Sequence, residues 1–378
     1  MNAFAAESVA EGNPDKVADQ LADSVLDAIL TEDRFARVSC KVMVSTGLVV
    51  VGGEVTTKTW IDIGKIIRIR LREIGYDTPV LGFDGSSCAV INILEEQSSE
   101  IGLAVDRHGA GEQCTVFGYA TDEGEALPGG AELMPVPIFL AHRLARSLGA
   151  ARKTGVLPCL LPDGKTQVCV EYEEDRPARL RTVVLSVQHT EGTSLDRLRA
   201  EVRRVVIEEN LASTGLLDGS TEVLINPAGT FTRGGPQVDA GFSGAKTSVD
   251  AYGSASRQAD CGLCGKDPTK PERCGAYMAR HIAKSLVRLG IARRCELRCT
   301  YVIGREQPIA VDVDTFGTAR EPDAVLGMRV RERFDLSVPA IIETFDLRRP
   351  IYSPLACYGQ FGRPDLDLPW EAALPGGF

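Results

Sequence analysis

The chain has 378 residues, 44% of them hydrophobic and 25% charged, which is enough apolar side chain for large cores and a length that suits two or three domains. Its net charge of −10 excludes a surface that binds nucleic acid or anionic lipid by bulk electrostatics, so an anionic ligand needs locally placed lysines and metal. No run approaches the roughly 20 apolar residues of a membrane span. The start, Met1-Asn-Ala-Phe-Ala-Ala6, lacks the basic and apolar regions of a signal peptide, so a cytoplasmic protein is expected. The eleven cysteines read as reduced, mostly buried small side chains rather than a disulfide framework.

In chain order, an amphipathic helix over 15–29 places apolar residues at 17, 21, 25, 26 and 29. Strand-like runs follow over 38–45 and 48–56 around a turn at Gly47, then a helix over about 60–74. The same order recurs as a helix at 137–148, strands at 167–172 and 182–188, and a helix at 195–209. It recurs again as a helix at 272–289, strands at 296–303 and 310–316, and a helix at 323–334. Helix, hairpin, helix at a spacing of roughly 130 residues predicts an α+β fold of three similar units about a pseudo-threefold, with mostly antiparallel sheets. The expected domains are 1–100, 110–230 and 234–371. The strands at 48–52 and 183–185 are continuous aliphatic runs, which predicts burial on both faces, partly against a second subunit.

The segments near 98–115 and 226–270 are rich in Gly, Ser, Asp and Lys and lack periodicity, as loops that hold chemistry do. Two turns carry a carboxylate and a lysine into a helix start: Glu11-Gly-Asn-Pro-Asp-Lys16 and Gly265-Lys-Asp-Pro-Thr-Lys270. That arrangement suits Mg²⁺ and the phosphates it screens. Taken singly, each residue has an ordinary reading: Asp15 caps a helix, the lysines are solvated, and Phe231 is core. Glu54, inside the strand-like run Val51 to Val55, needs a partner and favours a function. Cys261, Cys264, Cys274 and His281 are irregularly spaced for zinc.

The blocks Glu7-Ser-Val-Ala-Glu-Gly-Asn-Pro-Asp-Lys16, Gly52-Gly-Glu-Val-Thr-Thr57, Gly82-Phe-Asp-Gly-Ser-Ser-Cys-Ala-Val90, Phe117-Gly-Tyr-Ala-Thr121, Gly234-Gly-Pro236, Gly265 to Lys270 and Tyr358-Gly-Gln-Phe-Gly362 resemble the S-adenosylmethionine synthetase family along nearly the whole chain. The resemblance implies an enzyme in which the sulfur of methionine attacks C5′ of ATP, releasing tripolyphosphate that is then hydrolysed to pyrophosphate and phosphate. It also implies a homodimer, or a dimer of dimers, with interfacial active sites. By this resemblance Asp15 and Glu272 bind Mg²⁺, and Lys16, Lys165, Lys246, Lys266 and Lys270 act on the phosphates with Asn13. Asp163, Phe231 and Asp239 join Lys165, Lys246, Lys266 and Lys270 on ATP, while Glu54, Gln97, Glu112, Asp239 and Ile303 hold methionine.

The chain departs from the family pattern at the same site. Asn13 stands where the family has a histidine, and a neutral amide can only hydrogen-bond. Lys41 stands at the glutamate that binds K⁺, so dependence on K⁺ is expected to be lost. Ala245 replaces an arginine that grips the triphosphate, with Arg233 and Arg257 as candidate substitutes. Glu112 and Glu272 replace aspartates. The stretch Arg257 to Cys264 places Asp260 and larger side chains where the family has glycines, and the loop after Gln97 is shorter. Two alternatives stay open at this stage: a specialised paralogue with another nucleophile or nucleotide, and a non-catalytic nucleotide-binding relative.

Overall fold

The computed structural model describes residues 2–97, 109–374 and 378; the shortened loop after Gln97 lies outside these. Strand β1 (Asn2–Val9) leads into α1 (Pro14–Glu32), the hairpin β2 (Arg37–Ser45) and β3 (Leu48–Thr56), α2 (Ile63–Ile74) and β4 (Ala89–Glu96). Next come β5 (Cys114–Thr121), α3 (Val136–Lys153), the hairpin β6 (Leu160–Glu173) and β7 (Arg176–His189), α4 (Leu195–Val202) and β8 (Glu222–Ile225). The remainder is β9 (Gly241–Phe242), α5 (Thr247–Asp250), α6 (Pro271–Arg288), the hairpin β10 (Arg294–Tyr301) and β11 (Ala310–Asp314), α7 (Asp323–Arg333) and α8 (Val338–Phe345).

Local chemistry explains the principal elements. Pro14 opens α1 with Asp15 in its first turn, where a preset φ and a negative charge are both favoured. Val17, Leu21, Val25, Leu26 and Ile29 form its buried stripe. Strand β2 alternates buried Val38, Cys40, Val42 and Val44 with outward Arg37, Ser39, Lys41, Met43 and Ser45. Gly75, at φ 111°, ends α2 in the left-handed region.

The three hairpins each found a sheet, and each sheet is extended by a strand from the preceding unit in cyclic order. The orders are β4-β3-β2-β9, β1-β6-β7-β8 and β11-β10-β5. Thus β1 of the first unit joins the second hairpin, β5 of the second joins the third, and β9 of the third joins the first. One helix covers each sheet: α1 on β2, α3 on β6, and α6 on β5 and β10. The pairs β3/β4 and β7/β8 are parallel and the rest antiparallel. One continuous apolar core joins the first and third units, and the second has its own.

The aliphatic runs are not buried on both faces within one chain. Val49, Val51, Val183 and Leu185 are buried, while Leu48, Val50 and Val184 are only half-buried. On the outer face of the first sheet, Ile91, Ile93 and Phe242 are 47%, 57% and 50% exposed. All eleven cysteines are free.

Packing of α6 on β5 depends on Gly118. A Cβ there would lie 2.0 Å from the carbonyl carbon of Ala279, in helix backbone that cannot yield locally. Gly118→Ala should cost about 3 kcal/mol or more, read as a lower urea midpoint with an unchanged slope; a change below about 0.5 kcal/mol would contradict this packing account.

Candidate active site

Helix α1 presents a carboxylate once per turn, at Asp15, Asp19, Asp23 and Asp27, and residues four apart share a helix face. Each binds backbone N–H groups of the third unit. Asp15 Oδ1 accepts from Phe242 at 2.9 Å, Asp19 Oδ1 from Gly244 at 2.8 Å, and Asp23 Oδ1 from Gly265 at 2.7 Å. Asp27 accepts from Tyr352 at 3.1 Å and Ser353 at 2.7 Å. Arg273 neutralises Asp23 with contacts of 2.8 and 3.0 Å. Burial, opposed by the Ser353 N–H, pushes Asp27 up to about 7. The spacing of four runs along the helix beside its apolar stripe.

The first group of candidate residues forms at the start of α1. Asp15 Oδ2 meets Lys246 Nζ at 2.6 Å, and Asn13 Oδ1 is buried with no partner among the described residues. Gly12 donates to the Pro162 carbonyl at 3.0 Å, and Tyr76 donates its hydroxyl to the Gly12 carbonyl at 2.6 Å. These contacts bring Asp163 beside the first motif. Asp163 Oδ2 accepts from Gly235 N–H at 2.8 Å. Burial lifts Asp163 to about 6, opposed by the Gly235 and Gly164 N–H groups and reinforced by exposed Asp239. Phe231 is bracketed by His189, donating its N–H to Nε2 at 3.1 Å and accepting from the His189 N–H at 2.9 Å. Lys165 extends from β6 to Glu7 Oε2 at 2.5 Å.

The second group forms where Gly265 to Lys270 docks along β2. Cys40 N–H donates to the Gly265 carbonyl at 2.7 Å, Asp267 N–H to the Val38 carbonyl at 3.0 Å, and Val38 N–H to Asp267 Oδ2 at 2.6 Å. Gly265 holds φ +77°, and a Cβ there would stand 1.9 Å from the Cys40 oxygen, so only glycine fits. Lys266 Nζ meets Glu272 Oε1 at 2.9 Å, while Glu272 Oε2 is buried without a partner among the described residues. Lys270 Nζ meets Asp267 Oδ2 at 2.6 Å.

Ser39 pairs with Glu54 on one side and Lys266 on the other, and Glu54 with Glu95, so these four share the outer face of the sheet. Gly111 N–H donates to the Thr269 carbonyl at 3.0 Å and Ala110 pairs with Ile303, which brings Glu112 and Ile303 to the same turn. Gln97 follows β4, its Oε1 buried and unpartnered among the described residues.

Sequence profiles for the N-terminal, central and C-terminal domains of S-adenosylmethionine synthetase match residues 1–99, 107–231 and 233–372. The chain belongs to the S-adenosylmethionine synthetase family. It is 48% identical over 382 residues to the S-adenosylmethionine synthase of Desulforudis audaxviator (strain MP104C), covering 97% of this chain and 95% of that one. It is also 48% identical over 389 residues to the S-adenosylmethionine synthase of Parafrankia sp. (strain EAN1pec), covering 98% and 96%.

Within this S-adenosylmethionine synthetase chain, the expected residues fall into the two groups above, with two differences. Lys16, expected to act on phosphate, has no exposed surface and binds Asp19 at 2.9 Å and Asp250. Its ammonium is held in charged form by those carboxylates against the opposing effect of burial. Arg257, a candidate substitute at Ala245, is engaged by Glu296 at 2.5 Å on β10, whereas Arg233 stays exposed in the loop of Gly234 and Gly235. Asn13, Gln97 and Glu272 each leave a buried polar atom unpaired within the described chain, and buried polar groups ordinarily find partners.

Asp163 supplies a pH test. Its folded value is raised, so its contribution to stability is fully present below the unfolded value and lost as pH rises through about 6. Asp163→Asn should therefore raise the melting temperature at pH 8, leave it nearly unchanged at pH 4, and weaken nucleoside binding at pH 8. A lower melting temperature at pH 8 would contradict the assignment.

Proposed function

We propose that this chain is a methionine adenosyltransferase that makes S-adenosylmethionine from ATP and L-methionine, releases tripolyphosphate and then hydrolyses it. The Asp15–Lys246 pair at 2.6 Å, within a full-length family match, carries the reading. A thioether is a neutral nucleophile and needs no base, so rate comes from alignment of sulfur with C5′ and from stabilising charge on the departing triphosphate. Lysines that bind that charge more tightly as it develops lower the barrier.

At rest the lysines are already paired: Lys246 with Asp15, Lys266 with Glu272, Lys270 with Asp267 and Lys165 with Glu7. An anionic ligand must exchange those carboxylates for phosphate. Asp15 and Glu272 offer the hard carboxylate oxygens that suit Mg²⁺, and the unpartnered Glu272 Oε2 fits that role. Bound there, Mg²⁺ would screen the phosphates and stabilise the leaving group. Glu54, Gln97, Glu112 and Ile303 are assigned to methionine, and Phe231 and Asp163 to the nucleoside, with Asp239 between the two substrates.

Exposed Ala245 and neutral Asn13 leave two contacts fewer for the triphosphate, so hydrolysis of tripolyphosphate should lag behind its formation. Lys41, exposed on β2 opposite Gly52, supplies a fixed cation where the family binds K⁺. With ATP, Mg²⁺ and methionine, the protein should yield S-adenosylmethionine with tripolyphosphate accumulating, with or without K⁺, and Asp15→Asn should lower the rate at least about 100-fold. Mass analysis decides: an adenosylated product only with another acceptor would support a specialised paralogue, and ATP binding without turnover a non-catalytic relative.

The two ligand-facing groups are anchored eight residues apart on α1, at Asp15 and Asp23, or about 12 Å along the helix. They flank the outer sheet face that exposes Ile91, Ile93 and Phe242. Self-association of that face in a homodimer would bring the first group of one chain to the second group of another. Within such a dimer, 1–100, 110–230 and 234–371 are the three domains of each chain. No helix among the described residues is long and apolar enough to cross a membrane, and the cytoplasm is the proposed compartment. Ile93→Glu should convert the dimer to monomer in light scattering and abolish turnover; a dimer of unchanged mass would place the interface elsewhere.

A further inference from the structure

Four fastenings hold the segment 241–250 to the first turns of α1. Gly241 lies so close that an added Cβ would stand 2.0 Å from the Pro14 carbonyl oxygen. Phe242 and Gly244 donate their N–H groups to Asp15 Oδ1 and Asp19 Oδ1 at 2.9 and 2.8 Å. The fourth is at the end of α5, where the Asp250 carboxylate meets the Lys16 ammonium, which also binds Asp19 Oδ2 at 2.9 Å. Lys246 stands between the third and fourth fastenings, its ammonium 2.6 Å from Asp15.

Lys16, Asp19 and Asp250 are at most 1% exposed, so none of them can touch a ligand in this form of the protein. Burying such a cluster is costly, and an apolar group of similar volume would often serve stability as well. Its geometry nevertheless does something an apolar cluster cannot. One ammonium ties a carboxylate of α1 to a carboxylate of the loop, and the other oxygen of Asp19 holds the loop backbone at Gly244. The register of the loop on the helix is thereby set on both sides of Lys246.

We propose that Lys16, Asp19 and Asp250 form a positioning clamp for Lys246: Lys16 does not act on phosphate but keeps the Lys246 ammonium in place when Asp15 releases it. The clamp explains why a lysine beside a metal-binding aspartate is turned fully inward. It also separates two adjacent residues by role, Asp15 facing the ligand and Lys16 the support. The inference rests on the reading of Lys246 as a ligand of the triphosphate.

The test is binding of the magnesium complex of adenylyl imidodiphosphate to the full-length protein, by calorimetry, across a double-mutant cycle of K246A and D250N. If the clamp acts through Lys246, each single variant weakens binding about tenfold and the double variant is within about twofold of K246A. The KM for methionine should stay unchanged in D250N, which a general loss of structure would not allow. Independent losses that multiply in the double variant, or wild-type binding by D250N, would overturn the clamp. Wild-type binding by K246A would instead overturn the phosphate reading of Lys246, and the clamp with it. Should D250N fail to melt cooperatively, the same cycle with D19N decides by the same criteria.

Discussion

The structure depends on a ladder of aspartates along one helix. Asp15, Asp19, Asp23 and Asp27 each hold backbone N–H groups from the third unit of the chain, and charge-assisted bonds of this kind are about twice as strong as neutral ones. Four buried or half-buried carboxylates in a row would repel one another, so cations intervene at Lys16, Lys246 and Arg273. Where the cation is buried, as at Lys16 and Arg273, the rung is support. Where it reaches solvent, as at Lys246, the rung is the one proposed to open to a ligand. One helix face thus grades from a solvent-accessible ion pair at its N-terminus to buried scaffold further along.

The cyclic lending of strands follows the same economy of connection. Each unit gives a strand to the next sheet and receives one from the previous, so the three units must fold together, and the loops that follow the lent strands are drawn to the joints between units. Both groups of candidate residues occupy such joints. On the proposed assignment neither group is complete alone: one holds Phe231 and Asp163, the other Glu54, Glu112 and Ile303 with Lys266 and Lys270. In the proposed homodimer, a site divided across the apolar sheet face would make catalysis conditional on assembly.

Much of this was legible in the sequence, for a physical reason. Helices and hairpins whose pattern is set by their own burial were readable: the helix expected at 272–289 is Pro271–Arg288, and the strands expected at 38–45 and 48–56 are Arg37–Ser45 and Leu48–Thr56. Elements whose partner lies in another unit were not. Strands β1, β5 and β9 carry no hairpin turn of their own, and β6 begins at Leu160 rather than 167 because Pro162-Asp163-Gly164 reads as a turn but forms a strand with a register shift. Motifs nominate the candidate site residues, yet cannot separate buried Lys16 from half-buried Asp15. Which way a helix residue faces at the first turn is decided by the loop laid against it, and that loop is more than 200 residues away.

The account is tested most directly by mixing two inactive variants, one carrying Asp15→Asn and the other Lys266→Ala, after dissociation and reassociation of the subunits. If each site joins the Asp15 group of one chain to the Lys266 group of its partner, random mixed dimers contain one intact site in two, and the mixture should recover about a quarter of wild-type S-adenosylmethionine formation. A mixture as inactive as its parents, with mixed dimers demonstrated by mass, would contradict a site shared between chains.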